Sequence, residues 1–502
     1  MLPEDGAARS DELPCMIVLY NPKATKPRNR RFPLSILAIA AVLEGTEEVA
    51  IVDGNLDPQP TETLLAILRE HDVELLAVTV MPGPQTVGAV ASCREVRRAF
   101  PTVPIVWGGY FASNYTQATL NAAYVDFAVR GQGEQTFLEL LEAIRGKRDF
   151  KTILGLSYKE SDGTQKNNPE RPIRKLDDFP WYPYHRIPAE KYILPTFLGR
   201  RTAVHQASIG CPFRCNFCGV VTFSGSREKL EGPARTEQIL RHLAHSYGVD
   251  SVQFYDNNFF LREEHARELA DRIAPLNMRW WCEARIDIMM GYSDATLEAI
   301  RRAGCAMIFF GAESGSNKVL KEMHKDLRAE DTLALASRIR RFGIIPEFSI
   351  IFGNPADPEG DTVDCIKFIR QLKQLNPDSE IVVEHYTPVP QRAEMYGGIE
   401  GQFKFPESPD EWATEPWQRF ATQKDPRTPW LRPRTKQLID NFELVVSSRW
   451  PTAQDTRLPR WGRLALKMLS SWRYRLGIYS VPMELEWTQR MIGLRKPKAE
   501  SL

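Results

Sequence analysis

Cys211-Pro212-Phe213-Arg214-Cys215-Asn216-Phe217-Cys218 carries three thiols at the spacing CxxxCxxC. It follows Gly210 and an apolar run, 202–208, that reads as a strand. A loop of this length can wrap soft ligands around one face of a metal group, and thiolates favour zinc or iron–sulfur. Structural zinc normally takes four ligands. The nearest further candidates, His205 and Cys282, lack zinc-motif spacing. Three thiolates on a 4Fe–4S cluster leave one iron open to a non-protein ligand. The other five cysteines (Cys15, Cys93, Cys282, Cys305 and Cys365) lie in apolar patterns and are expected in the core.

Around this loop, residues 201–400 alternate strand and helix patterns. Strands are expected at 202–208, 251–255, 280–284, 306–310, 345–352 and 381–386, with helices such as 263–273 and 329–342 between them. Six strands with crossover helices predict a partial or full (β/α) barrel. Upstream, residues 15–150 also read βαβα, which predicts a doubly wound, Rossmann-like parallel sheet. Ligands bind such sheets at the carboxyl ends of their strands. Gly108-Gly109 and Gly131-Gln132-Gly133 stand at two of those ends. Residues 1–14 read as a tail. Residues 151–200 read as a linker, with a hairpin turn expected at Asp162-Gly163 and a proline-broken stretch at 177–183. Residues 401–502 are expected to be mostly helical; Trp412, Trp417, Trp430, Trp450, Trp461, Trp472 and Trp487 fall here. These aromatics suit the core of a helical cap or the wall of a substrate cavity.

The composition is that of a globular chain: 502 residues, 43% hydrophobic and 26% charged. A net charge of +1 gives no overall field for nucleic acid, and no nucleic-acid partner is expected. The basic residues concentrate late, with 16 basic against 7 acidic residues from Ala421 onward. The basic stretch 460–479, interleaved with Leu464, Leu466, Met468, Leu469, Trp472 and Leu476, reads either as the solvated face of a packed helix or as a membrane-surface helix. Eight cysteines are too few for a disulfide framework, and no spanning run or signal core is seen, so a reducing cytoplasm is expected.

The cysteine loop, with aromatic Phe217 before its last thiol and a barrel after it, resembles the radical S-adenosylmethionine (SAM) enzymes. The resemblance implies that Cys211, Cys215 and Cys218 hold a 4Fe–4S cluster. The open iron would chelate SAM, whose cleavage yields a 5′-deoxyadenosyl radical. Segments 255–259, 283–287, 311–315 and 351–355 fit the same resemblance and would line the SAM site through Phe217, Asp256, Glu283, Arg285, Glu313, Ser314 and Gly353. The chemistry agrees, because a zwitterionic sulfonium wants a carboxylate for its ammonium and a cation for its carboxylate.

A doubly wound domain ahead of such a barrel resembles the cobalamin-binding class of this superfamily. The matching elements are Phe32-Pro33-Leu34-Ser35-Ile36-Leu37, Val106-Trp107-Gly108-Gly109, Arg130-Gly131-Gln132-Gly133-Glu134 and the stretch Asp178-Phe179-Pro180-Trp181. Thr79, Met81, Gly108, Gly109, Ser113, Gly131, Gly133 and Glu134 would shape the cobalamin pocket. The Asp-x-His-x-x-Gly motif, whose histidine ligates cobalt in mutases, does not occur; the stretch Asp53-Gly54-Asn55 has no histidine. The implied activity is methylation of an unactivated carbon of a small molecule or lipid, through the adenosyl radical and methylcobalamin. An external one-electron donor of flavodoxin or ferredoxin type is implied with it. The alternatives are a radical cyclase or rearrangement enzyme, and a zinc-bound non-catalytic module.

Overall fold

The computed structural model describes residues 15–390, 396–399, 401, 403–422, 428–456 and 458–493; the tail 1–14 lies outside them. The first sheet starts from β1 (Met16–Asn21), buried along its whole length, as the apolar run MIVLYN requires of a central parallel strand. β2 (Glu48–Asp53) and β3 (Val73–Thr79) pair with it in parallel, one on each side. β4 (Ile105–Gly108) and β5 (Phe127–Val129) continue beyond β3, giving the order β2-β1-β3-β4-β5. The order reverses at β1, so the loops leaving β1 and β3 open the crevice where such sheets bind ligands.

The stretch expected as a linker begins otherwise. β6 (Leu156–Lys159) and β7 (Gln165–Asn167) form a hairpin that adds to β5 antiparallel, so the sheet has seven strands and is not wholly parallel. Asp162-Gly163 does make the turn: Gly163 has φ +83° and Asp162 accepts the Thr164 amide at 2.8 Å. Leu156 and Tyr158 join the core under the sheet. Beyond the hairpin, Tyr184, Tyr192 and Ile193 are buried against the barrel core.

The second sheet comprises β8 (Thr202–His205), β11 (Ser251–Phe254), β12 (Arg279–Ala284), β13 (Cys305–Glu313), β14 (Ile345–Phe352) and β15 (Glu380–His385). All pair in parallel and in chain order, and β8 and β15 stand at the two edges. The barrel is therefore a partial one. The single strand expected over 202–208 is interrupted at Gln206-Ala207. Its end becomes β9 (Ser208–Gly210), which pairs antiparallel with β10 (Glu228–Leu230). That pair closes the cysteine loop. Gly210, at φ +85°, has the Arg227 carbonyl oxygen 2.2 Å from where a Cβ would stand, so only glycine fits.

The C-terminal region is helical and splits in two. Trp412 and Trp417 are buried against the first domain, where Trp412 lies 4.6 Å from the Tyr115 ring and 5.7 Å from Phe111. Helix Pro433–Arg449 buries Ile439, Phe442 and Val445 in the barrel core. Trp461, Trp472 and Trp487 are exposed. Four of the five cysteines expected in the core are buried; Cys15 is exposed and contacts Asp72. No helix among the described residues is long and apolar enough to cross a membrane.

Candidate functional site

The three thiols sit between β9 and helix Gly219–Ser224, with Cys215 buried and Cys211 and Cys218 half-buried; none forms a disulfide. Burial pushes the Cys218 thiol up to about 12, and neighbouring Cys215 and Cys211 push it the same way. Cys211 is pushed up as well, by burial first, and thiols held this close are a poor structural choice unless a cationic metal group takes their protons' place. Among the described residues, no three His, Cys, Asp or Glu side chains are placed to hold a single metal ion.

Two cations reach this loop. Arg285, just after β12, donates from Nη1 to Cys215 Sγ at 3.5 Å and lies 3.6 Å from the Phe213 ring centroid. Its fork is fixed by Asp287 at 3.0 Å and by the Lys325 carbonyl at 2.7 Å. Lys325 itself is buried, pairs with Glu313 at 2.6 Å and stands 5.9 Å from the Phe217 centroid. Both aromatics of the cysteine loop thus meet a cation. Arg285 pulls against the upward shift of Cys211, and Lys325 against that of Cys218. Glu313 holds its pairing from the left-handed region, at φ +61°, an uncommon conformation for a side chain and one that clusters at functional sites.

Buried carboxylates continue from there. Cys211 feels Glu228, and both Glu228 and Glu283 feel Asp256. Glu228 has both oxygens buried without a hydrogen-bond partner. Asp256 is 1% exposed; its Oδ2 accepts the Ala207 amide at 3.2 Å, while Oδ1 has no partner. Burial lifts Glu228 and Glu283 to about 8 and Asp256 to about 7. Orphaned carboxylates beside a cluster loop fit a cationic ligand such as a sulfonium with an ammonium group.

Of the residues expected at this site, Phe217, Asp256, Glu283, Arg285 and Glu313 are brought together around the cysteine loop. Arg285 and Glu313, however, are already engaged by protein partners. Ser314 belongs to a separate buried network, donating to Asp361, which also accepts from Asn354. Gly353 turns the chain after β14 at φ +76°, and its carbonyl accepts the Trp430 indole at 2.8 Å. Sequence reasoning missed Lys325, Phe213 and Glu228.

At the carboxyl end of the first sheet lies a cavity of about 200 Å³. Leu19, Ala77, Val106 and Val129 form its floor, and Ser35, Thr79, Gly108, Gly109, Gly131, Gly133 and Glu134 line its rim. Thr79 and Ser35 hydroxyls meet at 3.0 Å. Gly109, at φ +86°, would bring a Cβ to 3.0 Å of Thr79 Oγ1, so glycine keeps this wall open. An apolar floor with a rim of backbone and hydroxyls fits part of a large amphipathic cofactor such as cobalamin. Met81 is exposed and Ser113 does not line the cavity; Ser113 donates to the Gly109 carbonyl at 2.8 Å and accepts the Gly131 amide at 3.0 Å, tying the two glycine loops. Where a histidine motif is missing, Asp53 accepts from Asn21 and from Tyr192, at 3.0 and 2.6 Å.

The two sites share a wall. Gln206, Ile209 and Phe223, from either side of the cysteine loop, also line the cavity. Tyr110, next to Gly109, packs on Gly219, next to Cys218: a Cβ on Gly219 would lie 1.7 Å from the Tyr110 hydroxyl.

The B12 binding domain family matches residues 24–141, and the radical SAM superfamily matches residues 206–369. An uncharacterized methyltransferase of Pyrococcus horikoshii is 28% identical over 68% of this chain and 73% of its own. An anaerobic magnesium-protoporphyrin IX monomethyl ester cyclase of Synechocystis is 24% identical over 72% of each. The structure of the radical SAM methyltransferase TsrM from Kitasatospora setae, with cobalamin and a [4Fe-4S] cluster bound, superposes with a TM-score of 0.66 at 18% identity, covering 96% of this chain and 99% of that one.

Proposed function

We propose that this chain, which matches the B12 binding domain family and the radical SAM superfamily, is a cobalamin-dependent radical SAM enzyme that methylates an unactivated carbon of a small-molecule substrate. The reading is supported by one observation: Gln206, Ile209 and Phe223, which flank the cysteine loop, line the cavity over the first sheet, so the loop stands next to that cavity. When bound, the cofactors supply a hydrogen-abstracting 5′-deoxyadenosyl radical and a transferable methyl group. Cys211, Cys215 and Cys218 hold the cluster, while Arg285 and Lys325 offset its charge. Asp256, Glu283 and Glu228 take the cationic end of SAM, and Phe217, Glu313, Ser314 and Gly353 shape the surrounding strand ends. Thr79 and the glycines at 108, 109, 131 and 133 admit cobalamin, with Glu134 at the rim and Met81 and Ser113 on the bordering loops. Residues 15–150 form the cobalamin unit with the hairpin 156–167 completing its sheet, residues 201–400 the radical unit, and residues 401–502 the cap.

In the barrel, Trp281 lies 6.3 Å from both the Tyr255 and the Phe309 ring, giving an aromatic wall that keeps water from a radical. A flavodoxin- or ferredoxin-type donor would supply the electron to a cluster held by these cysteines, in a cytoplasmic setting. Anaerobic turnover with methyl-labelled SAM and cobalamin tests the reading. It predicts label in the product together with S-adenosylhomocysteine and 5′-deoxyadenosine. Deoxyadenosine alone, with no label transferred, selects cyclisation or rearrangement instead, the reading that similarity to the cyclase favours.

A further inference from the structure

The last two helices carry an apolar face that the fold leaves outside. Helix Arg460–Leu476 buries Gly462, Leu466, Ser470 and Arg473 and packs on helix Pro433–Arg449. On its other side Trp461, Leu464, Met468, Trp472 and Leu476 follow one another at steps of three and four residues, which places them on one stripe. All five are exposed, from 46% at Trp472 to 69% at Leu476. Past the turn at Gly477, Ile478 and Val481 are exposed as well. Helix Met483–Ile492 then repeats the pattern at steps of four: Met483, Trp487 and Met491 are each at least 65% exposed. Arg473 clamps the two helices by pairing with Glu484, so the face is held as one unit.

Charge identifies the occupant. Residues 460–493 hold six basic and two acidic side chains, and Arg460, Lys467, Arg475 and Arg490 are exposed beside the apolar stripe. A second copy of this face would bring like charges together, which opposes self-association. Tryptophan, leucine and methionine flanked by arginine and lysine match a surface with an apolar interior and an anionic skin. We infer that this helical pair docks the enzyme on an anionic lipid bilayer, with the two helices lying in the headgroup layer and none crossing it. The basic side chains meet the lipid headgroups, and Trp461, Trp472 and Trp487 sit at the boundary with the acyl chains. The inference goes beyond the reaction chemistry and stands or falls separately from it.

Flotation of the full-length, anaerobically reconstituted enzyme tests it, using vesicles of phosphatidylcholine alone or with phosphatidylglycerol added. The enzyme is expected to float with the phosphatidylglycerol vesicles and to be released by salt. The double variant Leu476→Ser, Trp487→Ser should partition about tenfold less, with circular dichroism unchanged. The variant Lys467→Glu, Arg475→Glu should lose the preference for phosphatidylglycerol. Failure to float with either vesicle overturns the inference. So does equal partition into neutral vesicles, and so does a dimer in solution that the Leu476→Ser, Trp487→Ser variant dissolves.

Discussion

Gly219 shows how closely the two cofactor sites are joined. It has no room for even a methyl group, because the Tyr110 hydroxyl occupies that position from the other domain. Gly219→Ala should force the cysteine loop and Tyr110 apart, costing about 1–3 kcal/mol of stability. Lower iron retention and a lower melting temperature would register it, and Tyr110→Ala in the same chain should recover part of both. The carboxylates give a second prediction. Glu228, Glu283 and Asp256 have folded-state pKa values raised above their ordinary ones. The folded apoprotein therefore binds more protons than the unfolded chain between about pH 4 and 8, and loses stability as pH rises through that window. A cationic ligand reverses this cost once the groups ionise. SAM affinity should rise between pH 6.5 and 8.5, more steeply than that of neutral S-adenosylhomocysteine, and Glu283→Gln should flatten the rise. Calorimetric titration at three pH values checks it; a flat profile in the unaltered enzyme would remove these carboxylates from the site.

At the scale of elements, the strands were legible because buried parallel strands leave continuous apolar runs, as in β1, β13 and β14. The cysteine loop was legible because its three ligands are local in sequence. The turn of the hairpin β6–β7 was legible at Asp162-Gly163, but its joining the first sheet was not, since strands of four and three residues leave too short a periodic signal. Lys325 was hidden for a different reason. It lies in a loop between two positive-φ residues, His324 and Asp326, and reaches its site by a contact 40 residues distant, its carbonyl accepting from Arg285. Tyr110 likewise meets Gly219 only through the docking of two domains. The tryptophans of the C-terminal region share one composition but have two fates, and only packing separates them. Trp412, buried among Tyr115, Phe111 and Phe405, is a structural bolt between the cap and the first domain. Trp412→Ala should cost about 3–5 kcal/mol, seen as a lower denaturation midpoint. Trp487→Ala, on the exposed face, should leave that midpoint nearly unchanged.

At the scale of the whole molecule, the cavity over the first sheet lies where the first domain meets the strand and helix that flank the cysteine loop. The first sheet offers its carboxyl ends to that cavity, and Gln206, Ile209 and Phe223, on either side of the cysteine loop, wall it from the barrel side. The partial barrel leaves room for this because its edge strand β8 leads straight into β9 and the loop, rather than pairing with β15. On the proposed reading, a cluster held by the cysteine loop and a cobalt held over the cavity would be near neighbours. Electron paramagnetic resonance of the reduced enzyme carrying both a paramagnetic cluster and cob(II)alamin tests this directly. The account predicts dipolar broadening of both signals, relieved when Cys211, Cys215 and Cys218 are replaced by alanine and the cluster signal is lost. Two sharp signals that simply add, each indifferent to the other, would contradict it.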